Sequence, residues 1–120
     1  MIDHVAVHVS DLENAKRFYT KALEPLGYSL AFDQAGFLGY ADAAGMSLGV
    51  VQRDPVGGGH VAFASADRKG VDAFHAAAIE AGGTDNGAPG IRTHYHENYY
   101  AAFVHDADGN NLEVVCHKPG

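Results

Sequence analysis

Apolar residues alternate with polar or small ones over residues 2–9: Val5, Val7 and Val9 share one face, and His4, Ala6 and His8 share the other. A period of two is the signature of a strand. The period then changes. Leu12, Ala15, Phe18, Tyr19, Ala22, Leu23 and Leu26 recur at helical spacing, which predicts an amphipathic helix with one buried stripe. Ser10 and Glu13 have capping-box spacing and predict where the helix begins; Pro25 and Gly27 predict where it ends. Alternation resumes over 28–33, 36–41 and 46–52, three strands parted by the turn signals Gln34-Ala35-Gly36 and Ala43-Ala44-Gly45.

The same order then recurs. His4-Val5-Ala6-Val7 matches His60-Val61-Ala62-Phe63 at an offset of 56 residues, the separation of His4 from His60. At that offset Asp11 meets Asp67, Phe18 meets Phe74, Ala22 meets Ala78, Leu23 meets Ile79 and Gly27 meets Gly83. The second half therefore reads as a strand over 60–65 and a helix over about 67–81, with Val71, Phe74, Ala78 and Ile79 on its buried face and Gly82-Gly83 as its stop. Strands over 99–105 and 110–117 are joined by Asp106-Ala107-Asp108-Gly109-Asn110, a hairpin signal. Residues 84–98, with Gly87, Pro89 and Gly90, read as a strand fragment and a long loop. Two tandem βαβββ modules follow, one over about 1–54 and one over about 57–118, joined by the turn-rich Asp54-Pro55-Val56-Gly57-Gly58-Gly59 in a single domain of 120 residues.

Alternation also sorts candidate chemistry by face. With Val5, Val7, Val61 and Phe63 toward the helices, His4 and His60 point to the opposite side of the sheet. Leu112 and Val114 on the helix side place Glu113 with the histidines. If the modules pair across a pseudo-two-fold, two imidazoles and a carboxylate meet in one hollow. Such a set suits Fe(II), Mn(II), Ni(II) or Zn(II) and leaves coordination positions open for water or substrate. The other reading is a polar trio satisfied by water.

Within Arg92-Thr93-His94-Tyr95-His96-Glu97-Asn98-Tyr99-Tyr100, Arg92 is a candidate for holding an anionic substrate, with His94 beside it. His96 is a candidate proton carrier, and Tyr99 and Tyr100 are candidate donors to a developing oxyanion. The competing reading is a loop entering a strand, its tyrosines packing their rings. His8 shares the face of His4, but about 13 Å of strand separates them at a rise of about 3.3 Å per residue, too far to share a metal; it is a candidate for the cavity wall. His75 on the second helix reads as structural, and Cys116 as a buried, inert thiol.

Composition narrows the partners. The net charge is −7, and the 8 Lys and Arg residues are scattered, so neither nucleic acid nor an anionic membrane surface is expected. No apolar run reaches the roughly 20 residues of a membrane helix, and the N-terminus does not read as a signal peptide. One cysteine excludes a disulfide within the chain, so the cytoplasm is the expected address.

The stretches His4-Val-Ala-Val-His-Val-Ser-Asp-Leu12, Leu26-Gly27-Tyr28, His60-Val-Ala-Phe63 and Phe103-Val-His-Asp-Ala-Asp-Gly-Asn-Asn-Leu-Glu113 resemble the vicinal oxygen chelate superfamily, the glyoxalase, bleomycin-resistance and extradiol-dioxygenase group. Ala107 departs from the family's usual proline. The resemblance implies an α+β fold: two βαβββ modules forming a cupped, open mixed β-sheet barrel with helices outside. It also implies one divalent metal held by His4, His60 and Glu113, and a homodimer in which one site can draw ligands from two subunits. A fourth ligand position falls on Gly49, which has no side chain, so the chain is unlike a four-ligand glyoxalase I. The implied function is a metal-dependent enzyme acting on a small molecule with vicinal oxygens by lyase, isomerase, thiol-transferase or dioxygenase chemistry. The alternative is a metal-free protein that sequesters a small molecule, as the antibiotic-binding members do.

Overall fold

The computed structural model describes residues 2–120 and contains the repeat twice over. Its first module runs β1 (Val5–Val9), α1 (Leu12–Leu23), a 3₁₀ turn (Glu24–Leu26), β2 (Ser29–Gln34), β3 (Phe37–Asp42) and β4 (Gly45–Gln52). The second runs β5 (His60–Ala64), α2 (Arg68–Glu80), β6 (Thr84–Ile91), β7 (Tyr100–His105) and β8 (Asn111–Cys116). Each module forms its own four-stranded mixed sheet. The orders are β1-β4-β3-β2 and β5-β8-β7-β6, with the first strand of each module parallel to its last. The sheets are open, as expected, and with the two helices they make the α+β fold of two tandem βαβββ modules.

The local chemistry that starts the helices is the same in both halves. Asp11 caps α1 by accepting the Asn14 N–H, and its repeat partner Asp67 caps α2 by accepting the Gly70 N–H. The cap is thus Asp11, one residue past the expected Ser10: the aspartate takes the free donor directly, and the Ser10 N–H bonds to Asp108 instead. Gly27 closes the first helical segment at φ +84°, a conformation glycine adopts without Cβ strain. Its repeat partner Gly83 serves a different need. A Cβ there would lie 2.5 Å from Val104 and 2.9 Å from Phe18, so glycine permits close packing between the modules.

One continuous apolar core joins both halves: Val7, Val9, Phe18, Tyr19 and Leu23 from the first pack with Phe63, Phe74, Val104, Leu112 and Val114 from the second. Tyr19 is fully buried, and its hydroxyl donates to Asp106 at 2.6 Å. Asp106 also accepts from the backbone N–H groups of Asp108 and Asn110 and from Asn110 Nδ2. A hydroxyl from one module thereby fixes the β7–β8 turn of the other.

Residues 84–98 differ from expectation. They form a longer strand than expected, to Ile91, followed by a loop over 92–99 with turns at 93–95 and 97–98, because β6 accommodates its glycines through irregular register against β7 at Asp85/Gly87 and Gly87/Gly90. His75 is bonded to Asp85, and Cys116 is buried in the core. Among the described residues no helix is long and apolar enough to cross a membrane.

Candidate functional site

The helices cover one face of each sheet, and the candidate chemistry lies on the other. On β5 and β8 the parallel register sets Ala62 beside Glu113, and the antiparallel register sets Phe103 of β7 on its other side. Glu113 is 3% exposed, flanked by Leu112 and Val114 that face the core. A carboxylate so enclosed needs partners, and among the described residues it has two. His60 Nε2 lies 3.0 Å from Glu113 Oε1, and the Tyr99 hydroxyl donates a short hydrogen bond to Oε2. Since an ionised carboxylate only accepts, the His60 proton sits on Nε2 in this arrangement. Burial first, and then the Glu113 carboxylate beside it, push the Tyr99 hydroxyl up to about 12. At neutral pH Tyr99 is therefore a neutral donor already engaged with Glu113, which leaves no proton for a developing oxyanion.

Tyr100 takes the other side of the sheet. Its hydroxyl donates to Asp72 of α2 at 2.6 Å, and its ring lies 4.9 Å beneath the Arg68 guanidinium. Adjacent residues of a strand face opposite ways, so only one of the two tyrosines can join Glu113. As an oxyanion donor Tyr100 is misplaced.

His4 and His60 line one hollow, with Tyr28, Ser47 and Ala62. His4 Nδ1 contacts Asp3 at 2.8 Å, and the His4 side chain is 54% exposed. Among the described residues no three His, Cys, Asp or Glu side chains converge as one metal-binding group. The structure thus joins two of the three expected ligands in direct contact and sets the third on the wall of the same hollow. The 3.0 Å spacing of His60 Nε2 and Glu113 Oε1 is that of a hydrogen bond; the fit to a metal lies in the donor types, since an imidazole and a carboxylate are both ligands that divalent ions take.

The first module offers no equivalent acid. Ala6 pairs with Gly49 just as Ala62 pairs with Glu113, which places Gly49 at the fourth-ligand position by register. A Cβ there would sit 2.9 Å from two ring carbons of Phe37. The aromatic ring covers the place an acid would need, and Phe32 packs edge-on against it at 5.6 Å.

The other expected residues divide. His8 Nδ1 lies 3.0 Å from the Pro55 carbonyl, and the His8 carbonyl accepts from Gly57 N–H and Asn110 Nδ2, so this residue ties the joint between modules. His94 is exposed and packs on Tyr95 with ring centroids 4.2 Å apart. His96 Nε2 lies 2.8 Å from His117 Nδ1, and both rings meet Tyr99 edge-on. His117 is a residue that sequence reasoning passed over, although positions 113, 115 and 117 share a face by alternation. Arg92 extends the β6–β7 ladder through its N–H to the Tyr99 carbonyl at 2.7 Å. Its guanidinium donates to the Ala88 carbonyl at 2.8 Å and lies 5.5 Å from the Phe103 ring centroid.

Comparison with known proteins agrees with this architecture. The family profile of the Glyoxalase/Bleomycin resistance protein/Dioxygenase superfamily matches residues 1–114. A glyoxalase/bleomycin resistance protein from Albidiferax ferrireducens T118 is similar at 33% identity over 97% of this chain and 98% of that one, with a TM-score of 0.86. A glyoxalase-related enzyme from Fulvimarina pelagi is 18% identical over 97% and 87% of the two chains, with a TM-score of 0.75. A lactoylglutathione lyase from Agrobacterium tumefaciens is 20% identical over 97% and 92%, with a TM-score of 0.71. The last two likenesses establish the fold alone. A search of curated proteins finds no match.

Proposed function

The chain belongs to the glyoxalase/bleomycin resistance protein/dioxygenase superfamily, and from that premise we propose that it is a divalent-metal-dependent enzyme acting on a small molecule with adjacent oxygens. The observation that carries this reading is the His60–Glu113 pair, an imidazole and a buried carboxylate 3.0 Å apart on the helix-free face. A bound Fe, Mn, Ni or Zn ion would act there as a Lewis acid, polarising an oxygen on which negative charge develops. Tyr99 holds Glu113 in place with a proton it keeps at neutral pH. The buried, unpaired Cys116 is in keeping with a reducing compartment, the cytoplasm.

The third ligand in this reading is His4 of a second copy, in a homodimer whose sites combine the first module of one chain with the second module of the other. That His4 contacts Asp3 and forms no three-residue metal group with His60 and Glu113 among the described residues supports that arrangement. The reaction is of lyase, isomerase, thiol-transfer or dioxygenase type.

The test is metal content after purification without chelator, with thermal melts in added Mn(II), Fe(II), Ni(II) and Zn(II). A ligand at 100 times its dissociation constant stabilises by about 2.7 kcal/mol. The expected result is a raised midpoint in the wild type that is lost in His60→Ala, Glu113→Ala and His4→Ala, together with a dimeric mass. Protein that carries no metal and melts identically with every ion would refute the enzyme reading. It would favour a metal-free binding protein, an outcome for which the Phe37 ring over Gly49 already supplies an apolar wall.

A further inference from the structure

Tyr99 bonds to Glu113 from far along the sheet. The β7–β8 register sets Phe103 opposite Glu113 and Tyr100 opposite Cys116; continued by one residue, it sets Tyr99 opposite His117. Four residues of strand, about 13 Å at about 3.3 Å each, therefore separate Tyr99 from the position beside Glu113. The Tyr99 ring has to lean along the strand, past Ala101 on the same face, for its hydroxyl to reach Oε2. A half-buried tyrosine at the mouth of a strand has other rotamers open to it, so this one needs support.

Three rings supply it. His96 and His117 meet Tyr99 edge-on, with centroids 5.4 and 5.3 Å away and planes inclined by 77° and 81°, a favourable arrangement for such pairs. Tyr95 lies against the same ring at 4.7 Å. Both imidazoles are exposed, and ordering them costs rotamer freedom. Hydrogen bonds hold them nonetheless. The Asn98 N–H donates to His96 Nδ1 at 3.0 Å, so in the neutral ring the proton of His96 is on Nε2. That proton is donated to His117 Nδ1 at 2.8 Å, with the two ring planes inclined by only 27°. The linked imidazoles form a brace standing nearly perpendicular to the tyrosine ring. Tyr99 closes the turn that carries His96, its N–H donating to the His96 carbonyl at 3.2 Å. The order of the pair is thus delivered to Tyr99 and, through its hydroxyl, to Glu113.

We propose that His96 and His117 are positioning residues for Glu113: they brace the Tyr99 ring, and the Tyr99 hydroxyl then fixes which way the carboxylate faces. Neither imidazole touches a metal or a substrate in this assignment. Its consequence for metal binding rests on the functional reading above, whereas the brace itself needs no metal. Groups that orient a ligating side chain set metal affinity by about 10–100-fold.

The test has one arm without metal and one with it. In metal-free protein, proton NMR should show the Tyr99 hydroxyl as a downfield signal with a cross-relaxation contact to the Glu113 side chain. In His96→Ala and His117→Ala that proton should exchange with water at least about tenfold faster, since protection falls as local order is lost. In the second arm, the affinity for Ni(II) or Zn(II) should fall about tenfold in either variant. Made in Tyr99→Phe protein, the same substitutions should change it by less than about twofold, because the hydroxyl through which they act is gone. His117→Phe keeps a ring against Tyr99 and should recover most of the affinity; His117→Gln keeps an acceptor for His96 without the ring and should not. Far-ultraviolet circular dichroism confirms that each variant is folded. An unchanged Tyr99 hydroxyl signal in both alanine variants would overturn the brace. Equal losses of metal affinity with and without the Tyr99 hydroxyl would also overturn it, as the pattern of imidazoles that bind the ion themselves. Faster hydroxyl exchange in a protein that takes no metal would keep the brace and remove the enzyme reading. Metal binding with an undisturbed hydroxyl in both variants would do the reverse.

Discussion

Replacing Tyr99 by phenylalanine removes one oxygen and tests how Glu113 is held. The ring stays, so packing against His96, His117 and Tyr95 is retained. What is lost is a hydroxyl donated to a carboxylate that is 3% exposed and has one other side-chain partner, His60. Hydrogen bonds to charged groups contribute about 1.5–3 kcal/mol. Because Tyr99 is itself only half-buried, the lower part of that range applies, about 1.5–2 kcal/mol. Urea unfolding of the metal-free protein at pH 7 measures it, and a double-mutant cycle with Glu113→Gln should return a coupling of about 1 kcal/mol or more. The pH dependence adds a second arm. The folded-state value of Tyr99 is raised from 10.0 to about 12, so its neutral form is favoured by folding. The resulting stability is fully present below pH 10 and is lost as pH rises through about 12. Tyr19, Tyr40 and Tyr100 are raised as well, so the informative quantity is the difference between wild type and Tyr99→Phe, which should shrink across that window. A loss under about 0.5 kcal/mol at pH 7, with no change in the difference at high pH, would refute the view that Tyr99 anchors Glu113.

Gly49→Ala is expected to destabilise by about 1–3 kcal/mol, because its Cβ would press on the Phe37 ring at 2.9 Å. Most of that loss should disappear in the Gly49→Ala/Phe37→Leu double variant, measured by the same urea unfolding. Tyr19→Phe should cost about 1–3 kcal/mol by leaving a buried Asp106 oxygen short of a donor; a neutral result would mean the tie between the modules contributes nothing. Cys116, 1% exposed, should react with a thiol reagent only at the rate of unfolding; rapid labelling under native conditions would contradict its burial.

Much of this architecture is local, and local patterns are what a chain writes plainly. Alternation over β1 and β5, the helical stripes, and aspartates at matching positions 11 and 67 are set by backbone geometry and nearest neighbours, so the two βαβββ modules could be read from residue order. Alternation also put His60 and Glu113 on one face, and applied consistently it would have separated Tyr99 from Tyr100 and included His117. Distance is another matter. Whether His60 reaches Glu113, 53 positions away, depends on the parallel register of β5 and β8, set by packing of distant apolar residues into a shared core. His4 lines the same hollow as His60, yet among the described residues it forms no three-residue metal group with the pair, an outcome that no pattern of period two encodes. The path of Arg92 over Gly87 and Gly90 is decided by side chains absent from neighbouring positions on a folded strand. Face is a property of the residue order; convergence is a property of the packed chain, because it depends on contacts between segments far apart along it.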